Sequence, residues 1–506
     1  MPNDISFGAQ IIPILTSGMY KTPEFIFREY IQNAADQIDK ERDMQDWEDK
    51  ILIEIDKDNK SITIKDGATG IPKDKVWPIL ANIANSRKRS SSEKGMFGIG
   101  RLGGLTYCDK LIFETSYRGE SVKSVMTWDA QLLREKTANE HNGIASEIIA
   151  SVIDLVQEHE EETKHYFTVI LKNVHADSKK LLDVYNVREY LKMTAPVGII
   201  ETRFSLYGKV REYIKDNSLP TPPEYKIYVN RDKIEKAYRR KLYIGQPDEI
   251  DDIKFRLFKD IQGNVMAWAW VGIRNFDKQK VSQINDGCPF RGIRLRLHNI
   301  QIGEEDALSH LYKEPRGSKY FIGEIHVIDT SIRPNARRDY FESSPRFTYL
   351  ENEIKKYLDE LWQDVRLASQ NASDKKKIVK YQEEEKKFQK KQEEGFISPE
   401  EIKIHEENLR KSRKEAENAQ RRLQKKDPTY INTIPNIDSS VNKDSDGNSS
   451  SDTKKSHLIT DRLHGYGKKE RKIVSRILDI IAKYMSKETD RYQELTDRII
   501  SGLMEK

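Results

Sequence analysis

The chain has 506 residues, enough for about three domains, and 33% of them are charged, so part of the chain is not packed core. Its 87 basic and 82 acidic residues leave a net charge of +5. Charges that are this evenly balanced do not by themselves indicate a nucleic-acid-binding protein. Two cysteines exclude a disulfide framework and a cysteine metal cluster, and they suit a reducing cytoplasm. We expect neither a signal peptide nor a membrane-spanning segment.

Helices and strands alternate over the first 200 residues or so. "TPEFIFREYIQNAADQIDK" predicts a helix, with Thr22 as N-cap and Pro23 at the first helical position. "ILIEIDKDNKSITIKD" predicts two strands around a polar turn, and "KLIFETS" and "YFTVILKNV" predict two more. From about 201 to 365, further strand patterns mixed with helical stretches predict a second α/β domain; they are "YKIYVN", "GIRLRLHNIQIG" and "YFIGEIHVID".

The composition changes after about residue 365. Two long charged helices are predicted, and the break between them has Gly395 at a helix end, Ser398 as N-cap and Pro399 at a first helical position. They form either an antiparallel hairpin or a solvated helical linker. Residues 428–457 have the composition of a disordered linker. In the tail, a helical apolar face either self-associates or docks on the chain's own body; it comprises Ile473, Ile477, Ile480, Ile481 and Tyr484.

Three polar side chains share one stripe of the first helix. Glu29, Asn33 and Asp36 follow at i, i+4 and i+7 among largely apolar neighbours. A carboxylate on the inner side of such a helix is costly unless it is solvated, paired or coordinating. A carboxylate and an amide one turn apart suit a water and a magnesium ion, although an ordinary polar helix face has the same pattern.

Two glycine-containing segments follow. In "IKDGATGI", Asp66 ends a strand and can accept a hydrogen bond from an exocyclic amine, although a plain Asp-Gly turn is common. "GMFGIGRLGG" contains G-x-G-x-x-G, but a polar, serine-rich loop precedes it where a dinucleotide fold needs a buried strand. Glycines before a helix start suit a phosphate, and a packing turn that binds nothing is the alternative.

The order and spacing of these segments resemble the GHKL ATPase superfamily, which includes ninety-kilodalton heat-shock chaperones, MutL, type II topoisomerases, histidine kinases and MORC proteins. The similarity is strongest to the heat-shock chaperones. "REYIQNAADQ" resembles their E-x-x-x-N-A-x-D motif, "IKDGATGIPK" their D-x-G-x-G motif and "GMFGIGRLGG" their G-x-F-G-x-G segment. The similarity implies a Bergerat-fold α/β sandwich, then an α/β middle domain and a helical or coiled-coil C-terminal region.

The resemblance also implies roles for individual residues. Glu29 would be the general base, Asn33 would ligate Mg²⁺ and Asp66 would bind the adenine amine. "IRPNARRDYF" resembles a loop that faces the ATP, so Arg338, with Arg337 as the alternative, would reach the γ-phosphate. The other expected nucleotide-site residues are Asp36, Gly70, Ser86, Gly95, Phe97, Gly98, Ile99, Gly100 and Thr168.

The chain departs from the chaperone pattern at several points. Ala68 and Phe167 stand where the family has glycines, and the lid is basic. The C-terminal third does not resemble the chaperone dimerisation domain. We therefore expect five segments: an ATP-binding domain (1–200), a middle domain (201–365), a charged helical hairpin or coiled coil (366–427), a linker (428–457) and a helical segment that can dimerise (458–506).

The expected function is Mg²⁺-dependent ATP binding and hydrolysis by an ATP-gated homodimeric clamp that acts on nucleic acid, with DNA as a possible partner, or within a bacterial defence-type complex. A chaperone that acts on protein clients, or a slow-turnover ATP-sensing scaffold with a protein partner, is the alternative. The sequence does not name the client or partner.

Overall fold

The structure is a computed structural model, and residues outside the following ranges are not described. The described residues are 7–16, 22–40, 49–82, 100–139, 143–243, 248–274, 283–284, 287–426, 458–485 and 489–505. The chain divides into two compact units. The first comprises Met1–Asn275 and Ser282–Gln363, and the second comprises Phe276–Val281 and Asp364–Lys506.

The first unit mixes helices and strands throughout. Its helices are α1 (Ile11–Thr16), α2 (Phe25–Lys40), α3 (Val76–Leu80), α4 (Ala130–Asn139), α5 (Ala145–Ala150), α6 (Val184–Thr194) and α7 (Tyr207–Asp216). Its first eight strands are β1 (Lys50–Asp56), β2 (Ser61–Asp66), β3 (Lys110–Ser116), β4 (Val122–Asp129), β5 (Ile153–His159), β6 (Tyr166–Lys172), β7 (Lys226–Val229) and β8 (Asp232–Lys233). The last five are β9 (Ile250–Lys259), β10 (Val265–Arg274), β11 (Gly292–Leu297), β12 (Ile300–Ile302) and β13 (Ile322–Val327).

The first eight strands form one sheet in the order β5-β4-β3-β6-β2-β1-β7-β8. Neighbouring strands are antiparallel except β1 and β7, which run parallel. Alternate residues of β1 are buried, as expected of a strand with one face on the core. Helix α2 packs into the same apolar cluster, so the mixed α/β fold and the predicted first strands are confirmed.

One strand lies in a different sheet from the one expected. "YKIYVN" was assigned to the second domain, but β7 pairs with β1, with Lys226 opposite Lys50. Its buried residues, Ile227 and Val229, extend the apolar cluster of the first sheet. The expectation is wrong because alternation of apolar residues identifies a strand without identifying its partner.

The second sheet has the order β12-β11-β13-β10-β9, in which β11 and β13 are parallel and the other pairs antiparallel. Two predicted strand patterns, "GIRLRLHNIQIG" and "YFIGEIHVID", supply β11, β12 and β13. Glu324 of β13 lies at the centre of a buried group of charged side chains. Its carboxylate accepts hydrogen bonds from Lys236 at 3.0 Å and from Arg296.

The second unit contains the two charged helices, and they pack together. Helix α8 runs from Pro345 to Glu394, and its last 31 residues lie in this unit; α9 runs from Pro399 to Lys426. Gly395 has a φ of +92°, and the amide of Glu401 donates to Ser398 Oγ at 3.2 Å. The predicted turn is therefore confirmed. Side chains of both helices share an apolar cluster, which favours the hairpin over a solvated linker.

The C-terminal residues add two helices to this unit, α10 (Lys468–Tyr484) and α11 (Thr489–Met504). Leu478 and Ile500 pack with Ile397 from the hairpin turn, so the tail docks on its own unit. The predicted apolar face is not the docked one, because Ile473, Ile477, Ile480 and Tyr484 are exposed and Ile481 is half-buried. Within the described residues, no helix has the length and apolar character to cross a membrane.

Candidate functional site

Helix α2 carries a buried carboxylate. It begins two residues after Pro23, and Glu29 lies in its first half with only 7% of its surface exposed. Asp36 is also buried, whereas Asn33 is half-buried. The predicted stripe is therefore largely buried, and a carboxylate in that position needs a partner.

A glycine lies directly against the Glu29 carboxylate. Gly100 opens a short 3-10 helix, Gly100–Thr106, and a Cβ placed on it would lie 2.0 Å from Glu29 Oε2. Tyr30 holds this 3-10 helix against α2: its hydroxyl donates to the carbonyl of Arg101 at 3.0 Å and accepts from the amide of Gly104 at 3.1 Å. No side chain larger than hydrogen fits at Gly100 while Glu29 keeps this position.

An arginine from the C-terminal part of the first unit contacts the same carboxylate. Arg338 Nε lies 3.0 Å from Glu29 Oε1, and only 4% of Arg338 is exposed. The contact is an ion pair whose geometry is not that of a hydrogen bond. Arg337, the alternative considered from the sequence, is exposed. Three segments far apart in the chain thus converge on one buried carboxylate.

Hydrogen bonds hold the Arg338 loop in place. The amide of Gly303, just after β12, donates to the Arg338 carbonyl at 2.9 Å, and Asn335 Nδ2 donates to Asp339 Oδ1 at 2.7 Å. Arg338 has a φ of +53°, a conformation that costs energy for a side chain this large. Gly303, at φ +69°, leaves no room for a Cβ, which would lie 2.6 Å from the Asp339 carbonyl oxygen.

The Asp66 segment forms a packed turn. Asp66 is buried at the end of β2, and its carboxylate accepts from the amide of Ala68 at 3.1 Å. Gly70, at φ +70°, lies against β3, since a Cβ there would be 2.0 Å from the Ser116 carbonyl oxygen. Thr168 is buried on β6, opposite Lys65 of β2, and so one position from Asp66 across the two strands. The methyl group of Ala68, a departure from the family pattern, is fully buried in the core.

Five of the expected site residues lie outside the described residues. They are Ser86, Gly95, Phe97, Gly98 and Ile99. The structure brings together Glu29, Gly100 and Arg338, and it places Asp66, Gly70 and Thr168 at the neighbouring ends of β2, β3 and β6.

Two residues that support this arrangement, Tyr30 and Gly303, are not indicated by any pattern in the sequence. Tyr30 is one of the neighbours of the polar stripe on the first helix, and no sequence pattern marks Gly303. Their roles arise from contacts with the 3-10 helix and with the Arg338 loop, which no local pattern reports. Arg101, next to Gly100, is a further cation at the site, and burial lowers its pKa to about 10, so it is still charged at neutral pH.

Comparison with known families agrees with this geometry. Residues 20–163 match the model of the family described as histidine kinase-, DNA gyrase B- and HSP90-like ATPase. The chain therefore carries a GHKL ATPase domain. The matched stretch includes α2 with Glu29, the Asp66 turn and Gly100, whereas Thr168 and Arg338 lie beyond it.

Curated relatives of the chain are named as chaperones. The chain is similar to the chaperone protein HtpG of Wigglesworthia glossinidia brevipalpis, with 26% identity over 49% of this chain and 38% of the relative. It is also similar to HtpG of Enterobacter sp. strain 638, with 28% identity over 26% of this chain and 24% of the relative. HtpG of Acinetobacter baylyi is 29% identical over 24% of this chain and 22% of the relative. The chain thus spans well under half the length of the relatives it matches.

The residues around Glu29 fit a Mg²⁺–nucleotide. Within the described residues, both polar atoms of the buried Gln32 make no hydrogen bond, and Glu29 Oε1 has the ion pair with Arg338 but no hydrogen bond. Burying the Gln32 amide without a partner is costly, so this face of α2 suits a polar group from outside the chain. Among the described residues no cluster of three His, Cys, Asp or Glu side chains could hold a metal.

Proposed function

We propose that the chain hydrolyses ATP with Mg²⁺ and works as an ATP-gated homodimeric clamp, either on nucleic acid or within a bacterial defence-type complex. The observation that carries the ATPase part is the convergence of Glu29, Gly100 and Arg338 in one buried site. Hydrolysis of a phosphoanhydride needs a base for the attacking water and a cation for the developing charge. Glu29 and Arg338 can supply these, and the missing side chain of Gly100 leaves room for the Glu29 carboxylate.

Each residue then has a defined task. Glu29 accepts the proton of the attacking water, which is worth about 10² to 10⁴ in rate. The Asn33 amide holds Mg²⁺, which neutralises phosphate charge when bound. Asp66 accepts a hydrogen bond from the adenine amine. The remaining proposed nucleotide contacts come from the Asp66 turn, the lid and β6; they are Asp36, Gly70, Ser86, Gly95, Phe97, Gly98, Ile99, Gly100 and Thr168.

The ion pair between Glu29 and Arg338 suits an exchange of partners. In the structure the guanidinium compensates the buried carboxylate, which would otherwise be costly. A γ-phosphate that reaches the site offers the guanidinium a second anionic partner and frees Glu29 for the water. Arginine suits this exchange, since its planar fork binds carboxylate and phosphate equally well.

The test of this assignment is a matched pair of arginine variants. Arg338→Lys keeps the charge but shortens the reach and removes the fork, so we expect kcat to fall by about 10³ or more with little change in ATP affinity. Arg337→Lys makes the same change on the exposed neighbour and should leave both constants within about twofold. Equal losses in the two variants would contradict the role of Arg338.

The dimeric clamp is tested separately from the chemistry. We propose that ATP pairs two N-terminal domains and that hydrolysis releases them. In a chain truncated before residue 458, a non-hydrolysable ATP analogue should then shift the measured mass from monomer to dimer. An unchanged mass would remove the pairing step and leave the ATPase assignment standing.

The second candidate function is a chaperone that acts on protein clients, and the names of the HtpG relatives favour it. A chaperone should slow the aggregation of a denatured client protein in an ATP-dependent way, and duplex DNA should not change its ATP turnover. A clamp on nucleic acid should show DNA-stimulated turnover that fades with added salt. A slow-turnover ATP-sensing scaffold would bind ATP tightly and respond to neither.

A further inference from the structure

The outward face of α9 is basic along half of its length. Between Asn408 and Lys425, every exposed side chain that the structure describes is either basic or an asparagine. The acidic residues of this stretch, Glu415 and Glu417, are only half-exposed, and Glu417 accepts a hydrogen bond from Arg413 at 3.0 Å. The fully exposed charged side chains of this half of the helix are therefore all basic.

Four of the exposed cations form a straight row. Arg410, Lys414, Arg421 and Lys425, here named the basic stripe, follow at intervals of 4, 7 and 4 residues. At about 100° per residue they fall within roughly 60° of arc, and at 1.5 Å per residue they extend over about 22 Å. The opposite side of α9, with Ala416, Ala419 and Leu423, packs in the hairpin core, so the stripe points away from α8.

Lys387 and Lys390 of α8 differ from the residues of the basic stripe, although the sequence gives both helices similar charge runs. Lys387 pairs with Glu384 at 3.1 Å and Lys390 pairs with Glu394 at 3.6 Å, both on the same helix. No residue of the basic stripe takes part in an ion pair within the part of the chain that the structure describes. Charge that is not neutralised within the protein is available to an external anion.

The chemistry around the stripe restricts what that anion is. Helix α9 contains no Phe, Tyr or Trp, so it offers no platform on which unpaired bases could stack. The exposed side chains from Asn408 to Lys425 include none that is apolar, whereas a membrane-surface helix needs an apolar face. A row of cations without stacking or apolar groups suits the phosphate backbone of a duplex.

We propose that the basic stripe binds the phosphate backbone of duplex DNA, independently of sequence. A duplex carries one phosphate charge for about every 1.7 Å of its axis, both strands counted, so a straight row of cations about 22 Å long can contact several phosphates. The choice of DNA as partner rests on the proposed clamp function, whereas the binding surface itself needs no nucleotide. Helix α9 would thus have a DNA-binding role that is separate from the ATPase site.

The test compares two triple variants of the full chain that remove the same charge. Arg410→Gln, Lys414→Gln and Arg421→Gln change the stripe, and Lys386→Gln, Lys387→Gln and Lys390→Gln change exposed residues of α8. Glutamine is a good helix former, so both hairpins should keep their helicity, which circular dichroism checks. The probe is a fluorescent 20-base-pair DNA duplex without ATP, titrated at several salt concentrations.

We expect the stripe variant to bind the duplex at least about tenfold more weakly at 50 mM salt, and the slope of log affinity against log salt to fall by about 2 to 3. The α8 variant should stay within about threefold of the wild type. Equal losses in both variants, no loss in either, or no binding by the wild type would overturn the proposal. Stripe-dependent binding that is tighter for double-stranded RNA, or that polyglutamate displaces as well as unlabelled DNA does, would overturn the assignment of the partner.

The same preparations separate this proposal from the ATPase proposal. The stripe variant should keep the DNA-free ATP turnover of the wild type. A wild type that turns over ATP without binding the duplex would overturn the stripe proposal alone. One that binds the duplex through the stripe without ATP turnover would overturn the ATPase proposal alone.

Discussion

A single methyl group at Gly100 should separate ATP binding from ATP hydrolysis. The Cβ of Gly100→Ala would lie 2.0 Å from Glu29 Oε2, 2.8 Å from its Cδ and 3.1 Å from its Cγ. The positive-φ glycines do not include Gly100, so its backbone accepts alanine and the conflict is purely steric. Contacts of a real Cβ start at about 3.0 Å, so the carboxylate must retreat by about 1 Å or more.

The Glu29 side chain has little freedom to absorb that shift. It is buried between the 3-10 helix and the Arg338 guanidinium, and its neighbours on α2 are packed. A displacement of about 1 Å in a reacting group can cost about 10²-fold in rate. We therefore expect Gly100→Ala to lower kcat by about 10² or more, while ATP affinity changes by only a few-fold.

Steady-state turnover and equilibrium binding of a fluorescent ATP analogue measure the two effects. Gly208→Ala is the matched control, because a Cβ at Gly208 meets nothing within 4 Å. If Gly100→Ala acts through Glu29, adding it to Glu29→Ala should cost no further turnover. A variant with normal turnover, or a double variant much worse than Glu29→Ala, would refute the reasoning.

Three further variants test the surroundings of the site. Gly303→Ala places a Cβ 2.6 Å from the Asp339 carbonyl oxygen, so it should displace the Arg338 loop and lower kcat more than ATP affinity, and unchanged kinetics would contradict this support. Asp66→Asn should weaken ATP binding by at least about tenfold in isothermal titration calorimetry, because the amide replaces an acceptor with a donor. Burial alone would raise the pKa of Glu324, but Arg296 and Lys236 outweigh it and hold that pKa well below its ordinary 4.5. Glu324→Gln should therefore cost about 3 kcal/mol or more of unfolding free energy at pH 7, and the difference in urea midpoint should shrink as the pH falls below 4.5; a constant difference would contradict the ion pair.

The local features were predictable because their causes lie within a few residues. Gly395, Ser398 and Pro399 predict the turn between α8 and α9, and the structure has a glycine at positive φ and a serine cap there. The alternation of apolar residues predicts β1 and β2 in the same way. Neither depends on the rest of the chain.

Long-range pairing was not predictable from the same patterns. The sequence "YKIYVN" reads as a strand, but its place beside β1 depends on which strand edge is free once the chain has folded. The approach of Arg338 to the nucleotide site was expected only through the resemblance, and its contact with Glu29 was not predicted, since no spacing rule joins segments so far apart. The need for glycine at Gly303 comes from a carbonyl oxygen on another loop.

The charge runs of α8 and α9 illustrate a further limit. Both helices are rich in lysine and glutamate, so the sequence does not distinguish a neutralised face from an open one. Pairing of the α8 lysines with glutamates depends on side-chain geometry, and the basic stripe becomes distinct only when the exposed side chains of α9 are known.

The central claim is that Glu29 is the base of an ATPase. The measurement that tests it most directly is steady-state Mg²⁺-ATP turnover of the full chain beside Glu29→Gln, with ATP affinity measured for both. We predict that turnover falls by about 10² to 10⁴ in the variant while ATP affinity changes by only a few-fold. Turnover that is equal in the two proteins, or absent from both, would contradict the account.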